Sequence, residues 1–271
     1  MIDISIRELL YSDVEQIRFL QPKGWGDISF FFRLYTSHTF CFPIAAIHND
    51  KIVGVATGIK NNSTGWVAHI IVSPEHYKQG IGRRLTEKVV ETLADKGCKT
   101  QLLIATQMGE KLYEQLGFRT SCVYNFYEVK QIENNRLPDE IRLMNEEDNS
   151  RILEIDKIIS GENREHMLKM YDTGAFVYED PADRKIRGFF LPVLGEGMIS
   201  ALDSEAGLAL LKFKHTVRKS KSTLPEPNTD ANEFLVGNGF TKTLSAPRMV
   251  LGDEVDWKPE CVFSRIGGHY A

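Results

Sequence analysis

The chain has 271 residues, is 42% hydrophobic and 26% charged, and carries a formal net charge of −4. This composition suits one or two globular domains, and the acidic balance argues against a general nucleic-acid binder. No apolar run approaches the ~18 residues of a membrane span, and the N-terminal residues lack the basic and apolar regions of a signal peptide. The four cysteines lie far apart without metal-ligand spacing, which predicts reduced thiols in a cytoplasm and no metal site.

The first 130 residues predict an α/β unit in the order β-α-α-β-β-β-α-β-α-β. Ser12 is expected to cap the first helix, and a second short helix follows Gly26 and Asp27. A hairpin is predicted across Asn49 and Asp50. The predicted strands are residues 4–7, 44–47, 53–59, 65–72, 101–106 and 121–129, the last of which is expected to close the sheet.

The turn between the fourth strand and the next helix is the most informative segment. It contains Gly80 and Gly82, at the start of a helix whose apolar face is formed by Ile81, Leu85, Val89 and Leu93. The first turn of a helix has unpartnered N–H groups and a partial positive charge, and glycines let a ligand come close. The segment therefore predicts a phosphate or pyrophosphate site. Glycines needed only for the sterics of the turn are an equally good interpretation of this segment alone.

Two common phosphate motifs are excluded at this turn. The P-loop pattern is missing from the sequence, and the dinucleotide pattern Gly-x-Gly-x-x-Gly fails because Leu85 stands where the third glycine should be. The segment also lies too far along the chain for the first unit of a Rossmann fold.

A second motif lies about thirty residues further on. Residues 109–118 read Gly-Glu-Lys-Leu-Tyr-Glu-Gln-Leu-Gly-Phe and follow a predicted strand. They predict a short helix over 108–116 that ends at Gly117. Together with Val72-Ser-Pro and Gln79-Gly-Ile-Gly82, this motif resembles the GNAT superfamily of acyl-CoA N-acyltransferases. The order and spacing of the two motifs are those of that family.

The resemblance implies an acetyl-CoA site and a role for each motif. In GNAT proteins, backbone N–H groups of this turn hold the pyrophosphate of coenzyme A, and those of the fourth strand and its bulge hold the pantetheine and the acetyl carbonyl. The tyrosine of the second motif, here Tyr113, commonly protonates the departing thiolate. The implied cofactor-binding residues are Ile70, Ile71, Val72, Lys78, Gln79, Gly80, Ile81, Gly82, Arg83 and Thr106.

The chain departs from the common family pattern at two positions. Tyr77 stands where the family often has Arg or Gln, and Thr106 stands where it often has Asn. One branch of the superfamily carries Ala-Thr-x-x-Gly-x-x-Leu-Tyr, which residues 105–113 match. That branch also tends to have a Gly-Trp pair, as at Gly24 and Trp25, and two units in tandem.

Several candidate site residues have a second interpretation. His69 lies on the motif strand with its side chain on the opposite face from Ile70; it is a candidate catalytic base, or a hydrogen-bonded histidine of the sheet. Trp25 and Asp27 are candidate acceptor-pocket residues, although Trp25 also suits a core position. Arg83 and its neighbour Arg84 either contact phosphate or are solvated residues of the first helical turn.

The sequence repeats itself. Three patterns of the first half recur in the same order, displaced by about 120 to 135 residues, which indicates a duplicated unit. Ile6-Arg7 with Asp13 recurs as Ile141-Arg142 with Asp148, Lys51-Ile-x-Gly54 as Lys185-Ile-x-Gly188, and Gly117-Phe118 as Gly239-Phe240. We therefore predict a GNAT acetyltransferase domain over residues 1–130 and a GNAT-like domain over 138–271, joined by the polar residues 130–139.

The second copy is predicted to keep the fold and lack the chemistry. Its elements are strands near 141–143, 174–179, 186–194, 222 and 243–251, and helices near 148–159, 204–218 and 229–236. Its turn has no Gly-x-Gly, and Asp203 and Glu205 would repel a phosphate. Leu235 stands at the position of Tyr113. We interpret this copy as a degenerate domain that completes the acceptor pocket or braces the first copy.

The fold class is therefore α/β, with an α+β mixed sheet in two tandem units. The resemblance implies an N-acetyltransferase that moves an acetyl group from acetyl-CoA to a primary amine of a small-molecule or amino-acid-like acceptor. Direct transfer is expected because no activated cysteine nucleophile is evident. A non-catalytic coenzyme A-binding or sensor module and a protein-lysine acetyltransferase stay open as alternatives. We expect a cytoplasmic monomer or homodimer without nucleic-acid or membrane partners.

Overall fold

The computed structural model describes residues 3–133 and 138–270. The chain divides into two compact units that interleave in sequence. The first unit comprises the residues up to Leu103, Lys111–Arg119 and Val250–Asp253, and the second comprises Ile104–Glu110, Thr120–Met249 and the residues from Glu254 onward. Part of the predicted linker, residues 134–137, lies outside the described residues. No helix in the described ranges is long and apolar enough to cross a bilayer.

The first unit contains a mixed sheet in the order β1-β2-β3-β4-β5. Its strands are β1 (Ser5–Glu8), β2 (Cys41–His48), β3 (Lys51–Asn61), β4 (Thr64–Val72) and β5 (Thr100–Ile104). The first four strands pair antiparallel in chain order, and β5 pairs parallel with β4. A parallel pair needs a crossover connection, and the helix between β4 and β5 provides it.

The helices of the first unit follow the predicted order, with one correction at the start. They are a 3-10 helix (Tyr11–Leu20), α1 (Ile28–Ser37), a 3-10 turn (Pro74–His76), α2 (Ile81–Asp95) and α3 (Glu110–Gln115). Ser12 is not the first N-cap. The helix begins at Tyr11, and the Asp13 carboxylate accepts the backbone N–H of Leu10 at 2.8 Å. Arg7 holds that carboxylate in place, so Asp13 rather than Ser12 organises the helix start.

Helix α2 packs closely on the sheet through the predicted apolar face. Ile81, Leu85, Val89 and Leu93 are all buried, which confirms the four-residue spacing. Beneath the helix, β3 and β4 present Gly58 and Gly65, where an added Cβ would lie 2.9 Å from Leu93. The missing side chains therefore let the helix axis approach the two strands that form the candidate site.

The second unit contains two groups of strands. Its strands are β6 (Arg119–Lys130), β7 (Ile141–Leu143), β8 (Phe176–Glu179), β9 (Ile186–Leu191), β10 (Met198–Ala201), β11 (Ser220–Pro225), β12 (Lys242–Gly252) and β13 (Val262–Ser264). The strand orders are β13-β10-β9-β8-β7 and β12-β6-β11. Its helices are α4 (Asn149–Ser160), α5 (Glu165–Leu168), α6 (Ser204–Val217) and α7 (Thr229–Gly237), with 3-10 turns at Glu146–Asp148 and Pro259–Cys261.

Each unit begins with the same ion pair, as the sequence repeat predicts. Arg7 binds both carboxylate oxygens of Asp13, at 2.7 and 3.1 Å. Arg142 binds both oxygens of Asp148, at 2.7 and 3.0 Å. In both copies the carboxylate also accepts a backbone N–H three residues upstream, at 2.8 Å. Six-residue spacing in the sequence therefore becomes the same bidentate contact twice.

The strand predicted over residues 121–129 to close the sheet is present as β6. Apart from its first residue, β6 groups with the second unit, where β12 and β11 are its neighbours. The predicted strand over residues 121–129 is therefore confirmed, and its neighbours in the sheet are β12 and β11. Alternating side chains indicate that a strand has two faces but not which edge it joins. The units differ from the predicted ranges 1–130 and 138–271 in three segments: Ile104–Glu110 and β6 from Thr120 onward group with the second unit, and Val250–Asp253 groups with the first.

Candidate active site

A β-bulge interrupts β4 at the predicted position. Val55 of β3 pairs with Ile71, but Thr57 pairs with Ala68, so His69 and Ile70 together face one β3 residue. His69 has a φ of +49°, in the left-handed region. A bulge leaves backbone groups unpaired and redirects side chains. The predicted opposite faces of His69 and Ile70 rest on regular alternation, which the bulge interrupts, and both residues are half-buried.

The two central strands separate next to this bulge. β4 and β5 pair only from Thr64 to Trp66, while β4 continues to Val72. Within the described residues, the edge of β4 beyond Trp66 therefore has no ladder to β5. Such an edge offers backbone donors and acceptors to an extended ligand. Ile71 is buried, so it can offer only its backbone, whereas Ile70 and Val72 are half-buried.

The turn after β4 combines two left-handed residues with a helix start. Lys78 has a φ of +61° and Gly80 a φ of +82°. Gly80 is the N-cap of α2 and supplies no capping side chain. The first intrahelical bond runs from the Arg84 N–H to the Gly80 carbonyl, at 3.1 Å. The N–H groups before it are those that a helix leaves unpartnered, and with the left-handed residues they form an anion-binding concavity.

The structure separates the two interpretations of the glycines. Gly80 needs its left-handed φ, which suits glycine whatever binds. Gly82 has no such φ, and an added Cβ would meet only Val72, at 3.9 Å. Glycine near the start of a helix costs about 1 kcal/mol relative to alanine. Since neither backbone conformation nor internal packing requires Gly82, its open space supports the approach of a ligand.

The side chains of the turn divide into structural and available groups. Arg84 donates to the carbonyl of Ile4 at 2.9 Å, so its role is structural. Arg83 forms an ion pair with Glu87 at 3.4 Å and bonds Gln115, which holds it beside the helix start. Among the other turn residues, the Lys78 side chain is exposed and available to a ligand. The Gln79 side chain donates to the Glu75 carbonyl at 3.3 Å, and the Ile81 side chain is buried in the core.

Tyr113 lies on α3, in the first unit. The helix ends at Gly117, with a φ of +90°, and the Phe118 N–H donates to the Tyr113 carbonyl at 3.0 Å. The ring meets the Phe118 ring edge-on, with 6.0 Å between centroids. Burial raises the pKa of the phenol to about 12. Tyr113 is therefore a neutral hydroxyl at neutral pH and can donate a proton or a hydrogen bond.

Aromatic side chains surround His69. The Tyr35 hydroxyl lies 2.9 Å from its Nδ1, and the rings of Trp25 and Phe31 lie 5.9 and 5.0 Å from the imidazole. Burial lowers the pKa of His69 to about 4. The imidazole is therefore neutral at neutral pH and a weak base. Sequence analysis missed Tyr35 and Phe31, although their four-residue spacing on a predicted helix was visible.

The remaining candidates have clear local roles. Trp25 is 45% exposed, so the core interpretation is wrong. Asp27 is the N-cap of α1 and accepts the Ser29 N–H at 2.9 Å. Hydrogen bonding from the Ser29 side chain, and then from its backbone N–H, lowers the pKa of the carboxyl. Thr106 groups with the second unit, where its carbonyl accepts the Gly109 N–H at 2.9 Å. Among the described residues, no His, Cys, Asp or Glu cluster is arranged to hold a metal ion.

The corresponding helix start in the second unit is already occupied. Asp203 caps α6, and its carboxylate accepts the Ala206 N–H at 2.9 Å. Glu205 accepts a hydrogen bond from the Tyr178 hydroxyl at 3.0 Å. A carboxylate at a helix N-terminus satisfies the donors and the partial charge that a phosphate would use.

The strand gap of the second unit is occupied as well. β10 follows two antiparallel strands and precedes α6, as β4 precedes α2, and β11 follows α6 as β5 follows α2. β13 pairs with β10, and the Arg265 N–H donates to the Thr223 carbonyl of β11 at 3.3 Å. The C-terminal strand therefore fills the place between β10 and β11.

The counterpart of Tyr113 is a core residue. The Phe240 N–H donates to the Leu235 carbonyl at 3.0 Å, across Gly239 with a φ of +75°. This is the same turn that joins Phe118 to Tyr113 in the first unit. Leu235 is fully buried in the apolar core around α6 and α7, so this position has no proton donor.

Comparison with known proteins agrees with this architecture. Residues 7–118 match the model of the acetyltransferase (GNAT) family. A proposed acetyltransferase from Pyrococcus horikoshii is 20% identical with a TM-score of 0.85, covering 99% of this chain and 96% of that one. A GCN5-related N-acetyltransferase from Sphaerobacter thermophilus is 15% identical with a TM-score of 0.67, and the match covers 95% of this chain and 100% of that one. A tandem GNAT protein from the clavulanic acid biosynthesis pathway is 10% identical with a TM-score of 0.63, and the match covers 92% of this chain and 98% of that one.

At these identities the structural likeness shows the fold, and the family match applies to residues 7–118. The mixed sheet, the bulged fourth strand and the glycine turn all lie within the matched residues. The chain thus carries one segment that matches the acetyltransferase (GNAT) family, and it has the GNAT fold in two tandem units.

Proposed function

We propose that the chain transfers an acetyl group from acetyl-CoA to a primary amine of a small-molecule or amino-acid-like acceptor, by direct transfer. The donor supplies an activated acyl thioester when it is bound. The turn from Lys78 to Arg83 would hold its pyrophosphate, and the edge of β4 from Ile70 to Val72 would hold its pantetheine and acyl group. Thr106 stays a proposed member of this set.

The proposed roles follow from charge development during acyl transfer. Attack of an amine on a thioester places negative charge on the carbonyl oxygen, which fixed backbone donors stabilise. The bulge at His69 and Ile70 is the source of such donors in the first unit. Tyr113, a neutral phenol, would protonate the departing thiolate. With a pKa near 4, His69 suits hydrogen bonding and positioning of the amine better than storage of its proton.

One observation carries the proposal. Gly82 borders open space at a helix start without an internal reason to be glycine. The second unit lacks this arrangement, because the Asp203 carboxylate and β13 take the corresponding places. We therefore assign the acyl-CoA pyrophosphate site to the helix start of α2, in the first unit, and propose no second such site at α6. The four cysteines are free thiols in the structure, which supports a reducing cytoplasm. A monomer or homodimer is proposed.

The experiment is a calorimetric titration of three proteins with acetyl-CoA: the natural chain, Gly82→Trp and the control Gly237→Trp. Gly237 is an exposed glycine of α7 with open space around its Cα. We expect one site per chain in the natural protein and in Gly237→Trp, and none in Gly82→Trp. Release of the coenzyme A thiol on addition of amines then separates an enzyme from a binding module.

Three results would contradict the proposal. Two sites per chain would mean that the second unit also binds the donor. Binding that survives in Gly82→Trp would place the site elsewhere. Binding without thiol release for any amine, with a folded protein, would favour the sensor module.

A further inference from the structure

An aromatic wall stands beside the bulge of β4. Trp25, Phe31, Phe32 and Tyr35 form it, and their ring centroids lie 5.0 to 6.0 Å from that of His69. Phe32 and Tyr35 are buried and fix the base of the wall. Trp25, Phe31 and His69 are partly exposed and give it an accessible side.

The segments that form this wall carry almost no charge. Residues 25–35 contain two charged side chains, Asp27 and Arg33, and β4 contains none apart from the histidine. Both charged groups have partners, since Asp27 caps α1 and Arg33 forms an ion pair with Glu15. His69 is neutral at neutral pH because burial lowers the pKa of its imidazole. The wall thus presents aromatic rings and a neutral imidazole to a ligand.

We infer that the acceptor is a monoamine carried on a flat apolar skeleton, an arylalkylamine, and that the aromatic wall binds this skeleton. The inference rests on the proposed function and narrows its substrate class. Aromatic side chains gain most by burying apolar, planar groups, and their faces attract an arriving ammonium. An acceptor with a second cationic group would lose hydration at the rings, and the carboxylate that these segments offer it, Asp27, is exposed and already caps α1, so the ion pair gained would be weak. Polyamines and lysine side chains in basic peptides therefore fit the wall poorly.

The same surroundings help to form the reactive amine. An apolar environment disfavours the charged ammonium and lowers its pKa, so the acceptor loses one proton to water. Its nitrogen then attacks the acyl carbon, the C–N bond forms and the C–S bond breaks. The new amide nitrogen releases its extra proton to solvent, and the thiolate takes one from Tyr113, which solvent restores. Per turnover, one ammonium and one thioester give one amide, one thiol and one free proton.

The test compares acceptors and variants by thiol release at saturating acetyl-CoA. The acceptors are 2-phenylethylamine, hexylamine, spermidine and a lysine-containing basic peptide. We expect 2-phenylethylamine to have a kcat/KM at least tenfold above those of spermidine and the peptide, with hexylamine between them. Trp25→Ala should raise the KM for 2-phenylethylamine about tenfold or more. Phe19→Ala is the matched control, because Phe19 is a 62% exposed aromatic residue in the 3-10 helix, outside the wall.

Parallel calorimetry keeps this inference separable from the proposed function. Acetyl-CoA affinity should be the same in the natural chain, Trp25→Ala and Phe19→Ala. If acetyl-CoA binds and spermidine or the peptide is the better acceptor, the arylalkylamine inference is overturned and the acetyltransferase proposal stands. Equal KM values in Trp25→Ala and the natural chain would overturn it too. If acetyl-CoA does not bind, the acetyltransferase proposal and the arylalkylamine inference are both overturned.

Discussion

The two units differ most clearly in the gap beside their fourth strands. In the first unit, β4 and β5 pair over three residues and then separate, beside a bulge at His69. In the second, β13 pairs with β10 and reaches β11, so the chain itself fills the corresponding place. One fold therefore yields an open strand edge in one copy and a closed one in the other. Backbone groups that a ligand can use in the first unit are satisfied internally in the second.

The surroundings of one glycine near each helix start show the same difference between an open and a filled site. A Cβ on Gly82 would enter open space, whereas a Cβ on Gly207 would overlap the ring of Phe263, a residue of β13. The first glycine leaves room for something outside the chain. The second leaves room for the chain's own strand. The two copies of the fold thus differ in what takes the space beside the helix start, open space in the first and the side chain of Phe263 in the second.

The strongest test of this contrast exchanges each glycine for alanine. Gly207→Ala should lower the free energy of unfolding by about 3 kcal/mol, because Phe263 must move within a packed core. Gly82→Ala should leave stability unchanged or raise it by up to about 1 kcal/mol, since alanine is the better helix former. Chemical denaturation measures both. An equal loss of unfolding free energy in Gly82→Ala and Gly207→Ala would refute the distinction between a ligand-facing and a strand-facing glycine.

The second test separates chemistry from packing at the paired positions. Tyr113→Phe should lower kcat about 100-fold, the loss of a general acid, with acetyl-CoA affinity and stability nearly unchanged. Leu235→Ala should instead cost about 3 kcal/mol of stability because it leaves a cavity in the core. Because the pKa of Tyr113 is about 12, its ionisation should cause no fall in kcat as the pH rises toward that value. Full activity in Tyr113→Phe would remove it from the mechanism.

The third test uses the feature that the units share. Asp13→Asn and Asp148→Asn should each destabilise the protein by about 2 kcal/mol, since each breaks a charge-assisted bidentate contact. Hydrogen bonds from arginine hold the pKa of both carboxyls below the usual 3.8. The contribution is therefore complete above pH 3.8 and is lost as the pH falls through the lower folded-state pKa. Below that pKa the variant and the natural protein should have the same free energy of unfolding. A difference that persists at lower pH would show that ionisation of these carboxyls is not the cause.

The last test concerns a buried lysine beneath the closing strand. Lys214 donates to Ser264 of β13 at 2.8 Å, and burial lowers its pKa from 10.5 to about 7, with Glu196 opposing and Arg218 and Lys221 reinforcing the shift. Between pH 7 and 10.5 the unfolded chain binds more protons. Stability should therefore rise with pH by up to about 1.4 kcal/mol per pH unit.

Lys214→Met should abolish that rise, as measured by urea denaturation at pH 7 and 9. Lys212→Met is the matched control, because Lys212 is exposed on the same helix, and it should keep the rise. The same slope in both variants would show that Lys214 is not the group responsible.

Local patterns of the sequence were sufficient for much of the fold. The apolar face of α2, the glycine turn before it, the Tyr113 helix ending at Gly117 and the repeated Arg–Asp pair follow from spacings of four to seven residues. Short elements were harder. α5, β10 and β13 have only three or four residues each, which is too few for a period to stand out.

The sequence by itself predicted the resemblance to the GNAT family and the glycine turn before α2, because both depend on local motifs whose backbone consequences are local. Tertiary structure alone decided that β6 groups with the second unit, that β13 closes the gap beside β10, and that aromatic rings gather around His69. These outcomes depend on pairings between distant segments. An apolar strand is compatible with many edges, and only the assembled core selects one of them.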